Sequence, residues 1–204
     1  MIPIRPPYLI RKYFNSLVWN IPTEEKIIYL TFDDGPIPDV TPWVIETLDQ
    51  FNAKATFFCI GDNVKKHPGI FELIKSNKHA VGNHTFNHLS GWVTNDADYF
   101  ENINKANELI QSKYFRAPYG RIKPSQIKFL KNHYKIIMWD VLSKDYDLKR
   151  TGESCYQNVI DYAQPGSVIV FHDSLKAKER LQYALPKVLE YYTERDFVFK
   201  VISV

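Results

Sequence analysis

Two adjacent carboxylates, Asp33 and Asp34, end the apolar run that starts at Ile27 and are cut off by Gly35-Pro36. Neighbouring side chains on a strand point to opposite faces, and adjacent carboxylates repel each other. Asp, Gly and Pro form turns unaided, so the pair needs company before it means chemistry. That company starts with His84 and His88, four apart in Asn-His-Thr-Phe-Asn-His. On a helical turn their imidazoles would share one face, close enough to hold one metal ion. Residue 85 is Thr, so the zinc-protease pattern H-E-x-x-H lacks its glutamate. A carboxylate from another strand end would complete a His-His-Asp set, and Asp33 or Asp34 is the obvious donor. One carboxylate would bind the ion while the other accepts a proton from water, the cation offsetting their repulsion.

The other chemically capable residues also fall where strands should end. Arg116–Gly120 (Arg-Ala-Pro-Tyr-Gly), the run Trp139–Asp147 and Phe171–Asp173 each follow a β-rich stretch. Seven strands are expected, over 27–33, 55–60, 80–83, 114–117, 135–139, 167–171 and 197–202. Helical periodicity lies between them, as in Leu181, Ala184, Leu185, Val188, Leu189 and Tyr192, or Phe100, Ile103, Ala106 and Ile110. Thr41-Pro42 reads as an N-cap followed by a first-turn proline. Strands alternating with helices imply parallel pairing by right-handed crossovers, in a doubly wound sheet or a barrel. No glycine-rich phosphate turn is present. A distorted α/β barrel of about seven parallel strands suits the count better, and its strand C-termini would gather the polar clusters on one rim.

The chain of 204 residues is long enough for one domain with a substantial core. It is 45% hydrophobic and 24% charged, with a net charge of +3 and no Lys/Arg run beyond two residues. Nucleic acid is therefore not an expected partner. Two cysteines make no disulfide framework, and Cys59 within Thr-Phe-Phe-Cys-Ile reads as a buried thiol. Residues 1–26 read as an N-terminal extension packed on a domain spanning 27–204. Within it, Tyr8 to Trp19 could form a short helix with Leu9, Ile10, Tyr13, Phe14 and Leu17 on one side, facing the domain or a membrane surface. Early prolines, Arg11 and Lys12 are unlike a signal peptide, and no stretch reaches the ~20 apolar residues of a span. The expectation is a cytoplasmic protein without a transmembrane segment.

Thr-Phe-Asp-Asp-Gly-Pro, His-Thr-Phe-Asn-His, Arg-Ala-Pro-Tyr-Gly and Val-Phe-His, in that order, resemble the motifs of the polysaccharide deacetylase family, the NodB-homology domain. The resemblance runs from about Tyr29 to the end of the chain. It implies a distorted (β/α) barrel and a metal-dependent hydrolase that removes N- or O-acetyl groups from glycans. Position by position it implies Asp33 as general base and Asp34, His84 and His88 as metal ligands. Arg116 would hold Asp33, the backbone N–H of Tyr119 would face the oxyanion, and His172, oriented by Asp145, would be the acid. The implied cofactor is a divalent ion, zinc first, with cobalt, nickel or iron also suited; the implied partner is an acetylated glycan or amino sugar. Two departures touch the substrate walls. Leu142-Ser143-Lys144-Asp145-Tyr146 stands where the family has Asp-Ser-x-Asp-Trp, with Trp139 expected to supply the missing bulk. Val170 stands where Leu is usual, widening the acetate pocket. A deformylase or an amidohydrolase on a small C–N substrate is the alternative enzyme, and a non-catalytic glycan-binding module the alternative class. His67, His79 and His133 read as surface residues, Trp43 as a helix residue packed on the barrel, and Trp92 as a loop ring within reach of a sugar.

Overall fold

A computed structural model describes residues 3–204. In chain order the elements are α1 (Tyr8–Tyr13), β1 (Ile27–Asp33), α2 (Thr41–Gln50), β2 (Ala55–Cys59), α3 (Gly61–Lys66), α4 (Pro68–Ser76) and β3 (Ala80–Asn83). They continue as α5 (Asp96–Ile110), β4 (Tyr114–Phe115), a 3₁₀ turn over Pro118–Gly120, α6 (Pro124–Leu130), β5 (Lys135–Ile136) and β6 (Val141–Leu142). Helix α7 (Gly152–Tyr162), β7 (Val168–His172), α8 (Lys178–Thr193) and β8 (Val198–Phe199) complete the chain.

All ladders between these strands are parallel, in the order β5-β4-β3-β2-β1-β7-β6, with β8 added to the start of β1. This is the expected distorted (β/α) barrel, left open because β5 and β6, the ends of the path, form no ladder with each other among the described residues. Strand β6 was not expected: two residues carry no periodicity to read, and they divide a segment that looked like one loop. Strand β1 is buried at all seven positions, as a central parallel strand covered on both faces must be. Phe32 stacks on Phe57 of β2 at 5.0 Å and on Phe171 of β7 at 6.2 Å, tying the three central strands together. The expected stripe of α8, Leu181 to Tyr192, is buried against this core.

Register is what assembles the rim. Asp33 pairs with His172 across β1 and β7, Cys59 with Asn83 across β2 and β3, and Asn83 with Phe115 across β3 and β4. Asp34, His84 and Arg116 are each the next residue after those row positions, so they emerge at the same end of the sheet.

Several local expectations fail for identifiable reasons. Helix α2 starts at Thr41 itself, with Val40 at the cap position. The Thr41 hydroxyl donates to Asp173 at 2.6 Å and accepts from the Ile37 amide at 2.8 Å, so it is not free to cap. His79 is buried, not on the surface: its Nδ1 accepts the Ala55 amide at 3.2 Å at the start of β2. Burial first, then Lys54, lowers its pKa to about 4, keeping the ring neutral. The N-terminal helix is only six residues long and buries none of them; Leu9 is 75% and Tyr13 79% exposed, so the apolar stripe faces solvent.

Residues 4–21 nevertheless engage both free edges of the sheet. Val18 pairs alongside Ile137, beyond β5, and Leu142 of β6 donates its amide to Ile4. Between them the fully buried carboxylate of Asp140 receives Arg5 Nε and Arg11 Nη1, both at 3.0 Å, and the Ser167 hydroxyl at 2.6 Å. Removing one member of such a cluster strands buried charge. Asp140→Ala should therefore lower unfolding stability by about 2–4 kcal/mol, read from urea titration. A change under about 0.5 kcal/mol would show that the arginines are equally content in water.

Candidate active site

Each rim residue is held by a separate piece of the sheet. Arg116, buried beyond the end of β4, donates to Asp33 Oδ1 at 2.7 Å, to Thr31 Oγ1 at 2.7 Å and to the carbonyls of Ile137 and Met138. Its guanidinium also lies 4.1 Å from the Phe58 ring centroid. Burial works against the cation and lowers its pKa, while Asp33 works the other way. With its nitrogens committed in one plane, Arg116 fixes Asp33 as well as neutralising it.

Asp34, His84 and His88 offer ligand atoms that all lie within 4.8 Å of one another. Asp34 Oδ1 stands 3.2 Å from His88 Nε2 and 3.7 Å from His84 Nε2, buried and without a well-formed hydrogen bond. His84 Nδ1 meets the Arg116 carbonyl at 2.8 Å, which assigns its proton to Nδ1 and leaves Nε2 as a free donor. An orphaned carboxylate oxygen facing two imidazole nitrogens fits a divalent cation. Burial lowers the His84 pKa to about 4, with His88 adding to that and Asp33 opposing it, so the ring is neutral and competent as a ligand. Burial alone would raise the Asp34 carboxyl; His88, His172 and His84 outweigh it and hold it well below the usual range.

The pairing of the histidines is not helical, contrary to the expectation from their spacing. Residues 84–90 contain no helical turn, and the imidazoles, 5.0 Å apart, meet because Thr85 (φ 63°) and His88 (φ 56°) are left-handed. A β-branched residue rarely sits there. Here the Asn83 side chain accepts the Thr85 amide at 2.8 Å and Thr85 Oγ1 accepts the Leu89 amide at 3.1 Å, which offsets the strain. Asp34 is likewise left-handed, at φ 86°.

His172, at the end of β7, is gripped twice by Asp145: Oδ2 accepts its amide at 2.8 Å and Oδ1 contacts Nδ1 at 2.7 Å. Burial would lower the imidazole pKa, but Asp145, then Asp34 and Asp33, raise it to about 9. Asp145 follows β6, whereas Asp140 precedes it and faces the opposite end of the sheet beside Ser167. The run Trp139–Asp147 is thus two clusters, not one.

A cavity of about 330 Å³ joins these groups, lined by Asp33, Asp34, His84, His88, Tyr119 and His172. Trp139 and Val170 line it as well, with Ala117, Leu142 and Tyr146. The backbone at Tyr119 is left-handed (φ 60°), and the turn there uses the amides of Gly120 and Arg121 rather than that of Tyr119. His67 is half-buried and His133 exposed, both away from the cavity, and Trp43 packs on the core as expected.

Some supporting residues were not legible beforehand. Asp173 accepts Gly35 N–H at 3.0 Å and the Thr41 hydroxyl, fixing the turn that presents Asp34. A Cβ on Gly35 would lie 2.0 Å from that carboxylate, so only glycine fits. Asn63 donates to the Asp34 carbonyl at 2.8 Å, and Arg180 Nε to the Asp145 carbonyl at 2.6 Å. Asp173 adjoins His172 and had a visible signal; Asn63 and Arg180 had none.

The sequence profile of the family described as polysaccharide deacetylase matches residues 20–134. A peptidoglycan-N-acetylglucosamine deacetylase of Bacillus cereus is 31% identical over 92% of this chain and 91% of its own length. A chitooligosaccharide deacetylase of Azorhizobium caulinodans is 35% identical over 78% of this chain and 80% of its own. The crystal structure of the Bc1960 peptidoglycan N-acetylglucosamine deacetylase, in complex with 4-naphthalen-1-yl-N-oxidanyl-benzamide, superposes with a TM-score of 0.88 at 30% identity. It covers 97% of this chain and 95% of that one. Profile, relatives and fold agree: this chain belongs to the polysaccharide deacetylase family.

Proposed function

We propose that this chain hydrolyses the acetamido bond of N-acetylglucosamine units in a glycan. The single observation that carries the reading is the arrangement around one cavity: an arginine-held aspartate, a His-His-Asp ligand set and an Asp-gripped histidine. The names of the peptidoglycan and chitooligosaccharide relatives support the sugar.

Asp34, His84 and His88 would hold a divalent ion, zinc in this proposal with cobalt, nickel or iron as substitutes, which acidifies water and polarises the acetyl carbonyl. Asp33, kept anionic and aimed by Arg116, takes the proton from the attacking water. The backbone N–H of Tyr119 faces the developing oxyanion. His172, protonated under the influence of Asp145, delivers its proton to the sugar nitrogen as the C–N bond breaks, so that acetate and a free amine result. Val170, Leu142, Trp139 and Ala117 form the apolar wall against which the acetyl methyl packs. Metal-loaded protein incubated with N-acetylated and N-formylated saccharides should release acetate; formate alone would overturn the reading.

His172 adds a pH test. With its pKa raised, the active protonated form is lost as pH climbs through about 9, giving an alkaline limb in kcat/KM. Asp145→Asn removes the principal group that raises it, so the limb should move toward lower pH. His172→Ala should also impair N-acetyl substrates far more than activated acetate esters, whose leaving groups need little protonation. Equal losses on both would leave His172 a binding residue only.

A further inference from the structure

Beyond the cavity mouth runs a short file of exposed rings and one guanidinium. Tyr119, 52% exposed, packs at 4.6 Å on His88. The Arg121 guanidinium lies 5.7 Å from the Tyr119 ring and 5.3 Å from that of Trp92. Trp92 is 60% exposed, yet it is not loose. Its indole N–H donates to the Ile122 carbonyl at 3.3 Å, the Gly91 amide to the Arg121 carbonyl at 3.0 Å, and Gln126 to the Gly91 carbonyl at 3.0 Å. A Cβ on Gly91 would meet Gln126 Oε1 at 2.4 Å and the Arg121 carbonyl at 2.7 Å, so the loop can sit this close only with glycine there. Arg121 has no carboxylate within ion-pair distance among the described residues.

Leaving a large indole in water costs solvation, and ordering it costs entropy; a fold gains nothing from this unless something covers the ring. Its anchored edge leaves a face to stack while Arg121 keeps donors in hand. Flat apolar faces flanked by hydrogen-bond donors suit a pyranose, which offers axial C–H groups on one side and hydroxyls around its edge. Because the file is continuous with Tyr119 at the reacting centre, the sugar it suits is a neighbour in the same chain.

We propose that Trp92 and Arg121 form a second sugar subsite, binding a pyranose next to the one deacetylated, so that the substrate is an oligomeric or polymeric glycan and not a monosaccharide. The proposal rests on the glycan-deacetylase reading above, and it adds the length of substrate the site engages.

The test compares the wild type with Trp92→Ala and Arg121→Ala, metal-loaded, on N-acetylglucosamine monomer and pentamer. Trp92→Ala should raise KM for the pentamer about tenfold, leave kcat within twofold, and leave the monomer unchanged. Arg121→Ala should do the same more weakly. Wild type with no preference for the pentamer, or Trp92→Ala equally impaired on both lengths, would overturn the subsite. Binding read by calorimetry separates this from the chemistry. Pentamer affinity for Asp33→Asn should fall about tenfold in Asp33→Asn/Trp92→Ala. An unchanged affinity sinks the subsite even if acetate is released, whereas a fall supports it even if no acetate is seen and the proposed reaction fails.

Discussion

Asp33→Asn is expected to keep its metal and lose about a hundred- to ten-thousand-fold in kcat, the usual worth of a positioned base. Asparagine has nearly the same shape and can still accept a bond from Arg116, but it cannot take a proton from water. The remaining partners of Arg116, Thr31 Oγ1 and two carbonyls, stay in place, so the guanidinium should not leave the rim. It does lose its buried counter-ion, and thermal stability should fall with it. Rate and metal content measured together decide the matter. A mutant that sheds metal while Asp34→Asn retains it would mean that the two aspartates have exchanged roles.

The second large effect concerns the ion. His88→Ala should lower metal affinity by more than the roughly 10–100-fold that a mere supporting residue is worth, and activity should disappear with the metal. His84→Ala should do likewise, but its side chain is buried and bonded to the Arg116 carbonyl, so it also risks the fold. His88, whose side chain is 25% exposed, is the cleaner variant. Metal content by elemental analysis, with folding checked by circular dichroism, reads the result. Full occupancy in both variants would remove them as ligands. Restoration of wild-type activity by zinc or cobalt after chelation completes the test, since the ligand set is neutral nitrogen and carboxylate oxygen that both ions accept.

Much of this site is written locally. Asp33-Asp34 after an apolar run, His84 and His88 at fixed spacing, and Arg116 and His172 at strand ends are all visible because strand and turn chemistry is short-range. The long stripe of α8 is visible for the same reason: sixteen residues sample the helical period several times over. Strand β6 samples no period at all, and its two residues owe their extended form to β7 alongside. His79 looks like a surface residue beside Lys78, yet the amide of Ala55, 24 positions upstream, draws it inside.

By itself, then, the amino-acid order determined the types of group available, the ends of the strands that carry them and the alternation that makes the sheet parallel. Only the tertiary structure decided that Arg116 reaches Asp33 across 83 residues, that Asp145 and not Asp140 meets His172, and that Trp92 stands beside Arg121. The physical reason is register. A parallel ladder aligns strand ends that are distant in sequence, and a one-residue change of pairing would turn each of those side chains to the other face. The left-handed turns at Asp34, Thr85, His88 and Tyr119 are decided at the same level. Their strain is tolerable only where packed neighbours such as Asn83 and Asp173 hold the backbone, and no local propensity would choose it.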